Sequence, residues 1–96
     1  MDDSRHGKPM GGEGTVAWTF RLTGRGFVVV LEEVFTGIVR VGQVLESPAG
    51  RTLINAVEQG HGREAEEVKA FVGLVVEDAA APLFAKGQRV KFYEPG

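Results

Sequence analysis

The sequence predicts a small all-β domain that closes into an antiparallel barrel of six or seven strands. The chain has 96 residues, which is enough for one domain around one hydrophobic core. Its apolar residues recur with the two-residue period of strands, and glycine-containing turns separate these runs. No segment carries a long helical period. Many short strands joined by tight turns are typical of a small barrel.

A glycine- and proline-rich segment precedes the first periodic pattern. Residues 1–13 contain Gly7, Pro9, Gly11 and Gly12 and few apolar anchors, so we expect a flexible tail followed by a barrel domain at residues 14–96. Acidic residues near the start and the lack of an apolar run argue against a secretory signal. We therefore expect a cytoplasmic protein.

The first two strands are predicted to form a hairpin. Val16, Trp18, Phe20 and Leu22 alternate with small or polar residues, which indicates one strand with these four side chains on the core face. A glycine-rich turn at residues 23–26 follows. The apolar run at residues 27–31 then supplies the second strand.

The remaining elements follow from turn signals and apolar runs. Strands are expected at residues 38–41, 44–46, 51–57, 68–76 and 88–93, with a turn at 47–50, a polar loop at 58–67 and one helical turn at 82–85. The predicted core consists of Val16, Trp18, Phe20, Leu22, Val28, Val30, Val41, Leu45, Leu53, Val57, Leu74, Val76 and Val90. If Phe20 lies in this core, its truncation to alanine costs about 3 to 5 kcal/mol.

The composition excludes several classes of function. Eleven basic and thirteen acidic residues give a net charge of -2, so general electrostatic capture of nucleic acid or of an anionic membrane is not expected. Cysteine is absent, which excludes thiolate catalysis. No apolar run reaches the roughly 18 residues of a membrane-spanning helix. His6 and His61 lack a third ligand at a recognisable spacing, so no metal site is expected.

No catalytic motif is present either. Ser4 and Ser47 are the only serines, and neither lies in a pattern that suggests a nucleophile with its base. The chain has no phosphate-binding loop of the G-x-x-x-x-G-K-[ST] type. We therefore expect a protein that is not an enzyme, holds no cofactor and binds no GTP.

Four segments resemble a known family in the same order along the chain. They are Phe20-x-Leu22-x-Gly24-Arg25-Gly26-x-Val28-Val29, residues 37–45 (GIVRVGQVL), residues 72–76 (VGLVV) and residues 84–90 (FAKGQRV). Together they resemble the second, β-barrel domain of translational GTPases such as elongation factor Tu. The resemblance covers about eighty residues and implies a stand-alone barrel of the translation-protein type. It also implies contact with a nucleotide-binding domain or with RNA.

We select six residues for macromolecule binding, on one barrel face around Arg21, Arg25 and Arg40 or in the loop from Glu58 to Arg63. They are Arg21, Arg25, Arg40, Glu58, His61 and Arg63. One hypothesis is a protein partner, for example a GTPase-like protein encoded separately; an exposed apolar patch would favour it. The alternative is RNA or a ribonucleoprotein, which aromatic side chains could bind by stacking if they were exposed.

Overall fold

The computed structural model describes residues 11–32, 35–64 and 67–96, with backbone alone at residues 59–64 and 67–71. The described chain forms strands and one short 3₁₀ helix. The elements are β1 (Gly11–Leu22), β2 (Gly26–Leu31), β3 (Val44–Ser47), β4 (Gly50–Leu53), β5 (Ala56–Glu64), β6 (Glu67–Val76), the 3₁₀ helix (Asp78–Leu83) and β7 (Arg89–Tyr93). The predicted all-β class is confirmed. Within these ranges no helix has the length and apolar character that crossing a membrane requires.

The seven strands form one antiparallel sheet in the order β4-β3-β7-β1-β2-β6-β5. The long strand β1 belongs to both halves of this sheet. Its first part, from Gly11 to Thr15, pairs with β7. Its second part, from Val16 to Leu22, pairs with β2. The sheet therefore consists of two half-sheets that share β1.

The connection between β4 and β5 shows that the sheet is strongly curved. These two strands lie at opposite ends of the strand order, yet only Ile54 and Asn55 separate them in the chain. Seven strands in a flat sheet would place its ends ~29 Å apart, whereas this link spans at most ~11 Å. No ladder joins β4 to β5 in the described part of the chain. Closure of the barrel therefore stays a prediction.

Curvature encloses a core that both half-sheets contribute to. Most of its side chains come from strands, and Ala80 and Phe84 close one side. The buried members are Val16, Phe27, Val29, Leu31, Leu45, Ile54, Leu74, Val76, Ala80, Phe84, Val90 and Phe92. A second, smaller cluster on the outer face of β2 and β6 contains Val28, Val30 and Val75.

The predicted core is only partly correct. Seven of its residues are buried, namely Val16, Val28, Val30, Leu45, Leu74, Val76 and Val90. Leu22 and Val57 are half-buried. The prediction is wrong for Trp18, Phe20, Val41 and Leu53, which are exposed.

A β-bulge explains why the two aromatic residues of β1 face outward. Val16 lies opposite Leu31, but Trp18 lies opposite Val30, so β1 advances two residues while β2 advances one. One extra residue in a strand resets which face the following side chains occupy. Val16 therefore points into the core, and Trp18 and Phe20 lie on the outer face with Val30 and Val28.

The segment at residues 38–41 is not the strand that we predicted. The buried side chain of Gln43 organises it as a turn: its Oε1 accepts a hydrogen bond from the Arg40 N–H at 2.8 Å. Its Nε2 donates to the Ile38 carbonyl at 3.1 Å. These side-chain bonds satisfy backbone groups that a strand would pair with a neighbour.

Further boundaries also differ from the sequence prediction. Within the predicted loop at residues 58–67, residues 58–64 and Glu67 instead belong to β5 and β6, whose pairing continues as far as Glu64 and Glu67. The helical turn begins earlier than expected, at Asp78, and includes Pro82 near its end. Strand β1 begins at Gly11, inside the segment predicted as a tail, and Gly11–Glu13 pair with Tyr93–Lys91 of β7. Residues 1–10 of the predicted tail lie outside the described residues.

Candidate functional site

The structure places the charged residues that we selected for binding in different surroundings. Arg21, on β1, donates through Nε to Oδ1 of Asp78 at 2.8 Å. Arg25 lies in the β1–β2 turn and forms an ion pair with Glu58 of β5, with 3.2 Å between Nη2 and Oε2. The structure thus brings two of the selected residues, Arg25 and Glu58, together.

The two ion pairs lie on opposite faces of the sheet. Residues directly opposite one another in an antiparallel ladder share a face. Arg21 lies opposite Phe27, a core residue. Glu58 belongs to an outer-face row that continues through Gly73 and Val30. Arg21 and Arg25 therefore do not form one basic patch.

The other selected residues lie elsewhere. Arg40 is exposed in the turn that precedes Gln43. His61 and Arg63 lie in β5, opposite Ala70 and Val68 of β6. Their side chains are outside the part of the chain that the structure describes.

An exposed aromatic pair on β1 is the main surface feature that the sequence reasoning missed. Trp18 is 48% exposed and Phe20 is 40% exposed. The bulge at Ala17 places both on the outer face, two residues apart on the same strand. Aromatic side chains are enriched at protein interfaces, where a partner covers their apolar area. Nothing in the local sequence marks the bulge, so alternation alone assigned both side chains to the core.

The same segment of β1 has an unpaired backbone edge. Pairing between β1 and β7 ends at Thr15 and Arg89. Val16 still bonds to the loop before β7, since its N–H donates to the Gln88 carbonyl and its carbonyl accepts from the Gly87 N–H. Beyond Val16, the described residues provide β1 with one strand neighbour, β2. With respect to residues 11–32, 35–64 and 67–96, its other edge is therefore open from Ala17 onward.

The direction of the backbone groups along this edge follows from the hairpin turn. The Leu22 carbonyl accepts the Arg25 N–H across the turn, so the backbone groups of Leu22 point toward β2. Successive residues of a strand point their N–H and C=O groups to alternate sides. The groups of Trp18 and Phe20 therefore point toward β2, and those of Thr19 and Arg21 point to the open edge.

The groups on this surface are suited to contact with another extended chain. An open strand edge offers hydrogen-bond donors and acceptors to another extended backbone, and the adjacent aromatic rings offer apolar area. Within the described ranges, no three His, Asp or Glu side chains are grouped so that they could hold a metal ion. The buried Ser47 hydroxyl donates to the Leu83 carbonyl at 2.6 Å, which is a structural bond to the end of the 3₁₀ helix.

Among the groups that the structure describes, the Tyr93 phenol has a shifted pKa, and it lies on the other half-sheet. The Tyr93 hydroxyl donates to Oε1 of Glu46 at 2.5 Å. This hydrogen bond, assisted by partial desolvation, raises the pKa of the Tyr93 phenol above its ordinary value, while the Arg51 guanidinium opposes the shift. The pair is an interstrand contact between β3 and β7, with no nucleophile beside it among the described groups.

Comparison with known proteins adds no family to these observations. A scan against protein-family models, a search of the curated proteins and a search of the solved structures each gave no match. The resemblance to translation factors therefore rests on the quoted sequence segments.

Proposed function

We propose that the chain is a noncatalytic, cytoplasmic β-barrel module of the kind found as the second domain of translation factors, and that it mediates protein–protein contact. The observation that carries this proposal is the coincidence of two features on β1. Trp18 and Phe20 expose aromatic surface beside an open strand edge. Proteins that expose such edges pair them with another chain or protect them.

The charges beside this surface favour a protein over a nucleic acid. Arg21 and Arg25 each face a carboxylate of the same chain, and the net charge is -2. Nucleic-acid affinity comes largely from cations that neutralise phosphates, and cations already paired in the free protein contribute less. Exposed apolar area and backbone hydrogen bonds, by contrast, are what a protein partner uses.

Two observations support the barrel part of the proposal. The link of Ile54 and Asn55 brings the two ends of the sheet close together in space. Gly24, Gly26, Gly37, Gly42 and Gly87, which lie in the segments that resemble translation factors, all have positive φ angles. A left-handed backbone favours glycine, so the positive φ angles explain why these positions carry the glycines of the family pattern. Such a module would bind no GTP and need no cofactor.

RNA is the second candidate partner, and the same aromatic pair supports it. Two exposed aromatic side chains on a strand can stack successive bases of a single strand, and each stacked base is worth ~1 to 3 kcal/mol. Arg40 is exposed and lies outside both ion pairs described above, so it could contact phosphate. The paired state of Arg21 and Arg25 places this candidate second.

Affinity capture with matched variants tests the proposal. The bait is the tagged full chain as wild type, Trp18→Asp or Leu53→Asp, with and without ribonuclease. Leu53 is the control because it is 52% exposed, close to the 48% of Trp18, but lies on β4. We expect a protein partner that survives ribonuclease, is lost from Trp18→Asp and is retained by Leu53→Asp.

Two results would count against a protein partner. Capture that disappears with ribonuclease would move the assignment to RNA. Equal capture by all three baits would show that the β1 surface is not the contact site. Circular dichroism of each bait confirms that a loss of binding does not come from unfolding.

A further inference from the structure

We propose that the partner of the β1 edge is a second copy of this chain, which joins through antiparallel pairing of the two β1 edges about a two-fold axis at Thr19. The inference rests on the proposed function and names the partner for that surface. Closed two-fold dimers are the commonest oligomers, and each uses the same patch on both subunits. The patch must therefore be complementary to itself.

The open edge fits an extended backbone. The outward N–H and C=O groups of Thr19 and Arg21 are those that an added antiparallel strand would bond. The five residues from Ala17 to Arg21 contain no proline and no glycine. Nothing in this stretch removes a donor or weakens its extended conformation.

The boundaries of the open stretch select the register. At one end the edge is occupied at Val16, which is bonded to Gly87 and Gln88, and at the other β1 itself ends at Leu22, where the turn begins. The free stretch between them is centred on Thr19. A two-fold axis at this centre leaves the most backbone free to pair on both copies. Thr19 then lies opposite its own mate.

This register makes the outer face self-complementary. Trp18 of each copy lies directly opposite Phe20 of the other, and both residues are on the exposed face. Aromatic side chains opposite one another across a ladder are among the favourable cross-strand pairs. The dimer would thus contain two symmetric Trp18–Phe20 contacts, which cover the exposed aromatic pairs of both copies.

Charge does not oppose the pairing. Arg21 is the only charged residue of the stretch, and the two-fold register places it opposite Ala17 rather than its own mate. Charged side chains commonly protect an edge against pairing. Here the guanidinium of Arg21 forms an ion pair with Asp78 of its own chain at 2.8 Å, so Arg21 does not present an unpaired charge at this edge.

Single-cysteine variants test both the dimer and its register, because the chain contains no cysteine. In the proposed dimer the two Thr19 Cα atoms lie ~5.5 Å apart, within the range that a disulfide bridges. Thr19→Cys should form a covalent dimer under mild oxidation. The control is Ala17→Cys on the same edge, where the two copies lie ~14 Å apart along the strand and should not cross-link.

Sedimentation equilibrium of the full chain gives the second readout. We expect a species of twice the 10.3 kDa chain mass. Trp18→Asp should raise the dimer dissociation constant at least tenfold, and Leu53→Asp should leave it unchanged. A folded wild type that stays monomeric at millimolar concentration overturns the inference, and so does equal cross-linking of the two cysteine variants.

The outcomes also separate this inference from the proposed function. A monomer that still captures another protein in a Trp18-dependent manner refutes the self-pairing and leaves the protein-contact function in place. A monomer whose Trp18 fluorescence is quenched by single-stranded RNA refutes both in favour of RNA. A dimer that Trp18→Asp does not weaken refutes the assigned surface.

Discussion

Replacement of Gln43 by methionine should destabilise the protein by about 2 kcal/mol. The Gln43 side chain is fully buried and bonds to the backbone of Arg40 and Ile38 at 2.8 and 3.1 Å. Methionine keeps the length of the side chain but leaves both backbone groups without that partner. A buried polar group that loses its hydrogen-bond partner costs ~1 to 3 kcal/mol. The surroundings of this turn are exposed, so we expect the lower end, ~1 kcal/mol, for each of the two backbone groups.

Urea unfolding followed by circular dichroism measures this loss, and thermal unfolding should show it as a decrease of ~8 to 16 °C for a domain of this size. Gln88→Met is the matched control. The Gln88 side chain accepts one bond, from the Ala85 N–H at 3.2 Å in an exposed position, so its replacement should cost less than ~0.5 kcal/mol. Equal losses for the two variants would refute the role assigned to Gln43.

Three further substitutions test the packing and the pKa argument. Phe92→Ala should cost ~3 to 5 kcal/mol and Phe20→Ala only ~1 kcal/mol in urea unfolding, because the first ring is buried and the second is 40% exposed. Gly73→Ala should cost ~1 to 3 kcal/mol in the same assay, since its Cβ would lie 2.9 Å from a valine methyl of β2. Glu46→Gln should lower the pKa of Tyr93, read from ultraviolet absorbance of the single tyrosine. Because that pKa is raised in the folded chain, the Tyr93 contact stabilises the fold fully below the ordinary phenol pKa of ~10. This stabilisation is lost as the pH rises through the pKa of the folded state. Glu46→Gln should weaken this pH dependence of stability.

Local signals predicted the two tight hairpins well. The turn at residues 23–26 joins β1 to β2, and the Ser-Pro-Ala-Gly turn joins β3 to β4, as the glycine and proline positions indicated. Each hairpin is specified by residues close together in the chain. The strand predicted at residues 51–57, however, is two strands, β4 (Gly50–Leu53) and the start of β5 (Ala56–Glu64).

Features that depend on distant residues were not predictable in this way. The bulge at Ala17 exists only in the register of β1 against β2, and alternation on one strand cannot reveal it. The polar segment at residues 58–64 is a strand because β6 pairs with it along its length. Gln43 is buried because the turn folds around its side chain, which a single sequence position does not indicate.

The candidate surface on β1 is not the set of charged residues that the sequence analysis selects. Arg25 and Glu58 were selected separately, and the fold joins them across 33 positions of sequence. Alternation along β1 assigns Trp18 and Phe20 to the core. The bulge instead places both aromatic side chains on the outer face of β1, where they are exposed.

Hydrogen–deuterium exchange resolved by residue tests the open β1 edge most directly. The amides of Trp18 and Phe20 point toward β2 and should exchange slowly at every protein concentration. The amides of Thr19 and Arg21 point to the open edge, so they should exchange quickly in dilute protein and become protected as the concentration rises. Protection of all four amides to the same extent in dilute monomeric protein would contradict the open edge and the contact surface built on it.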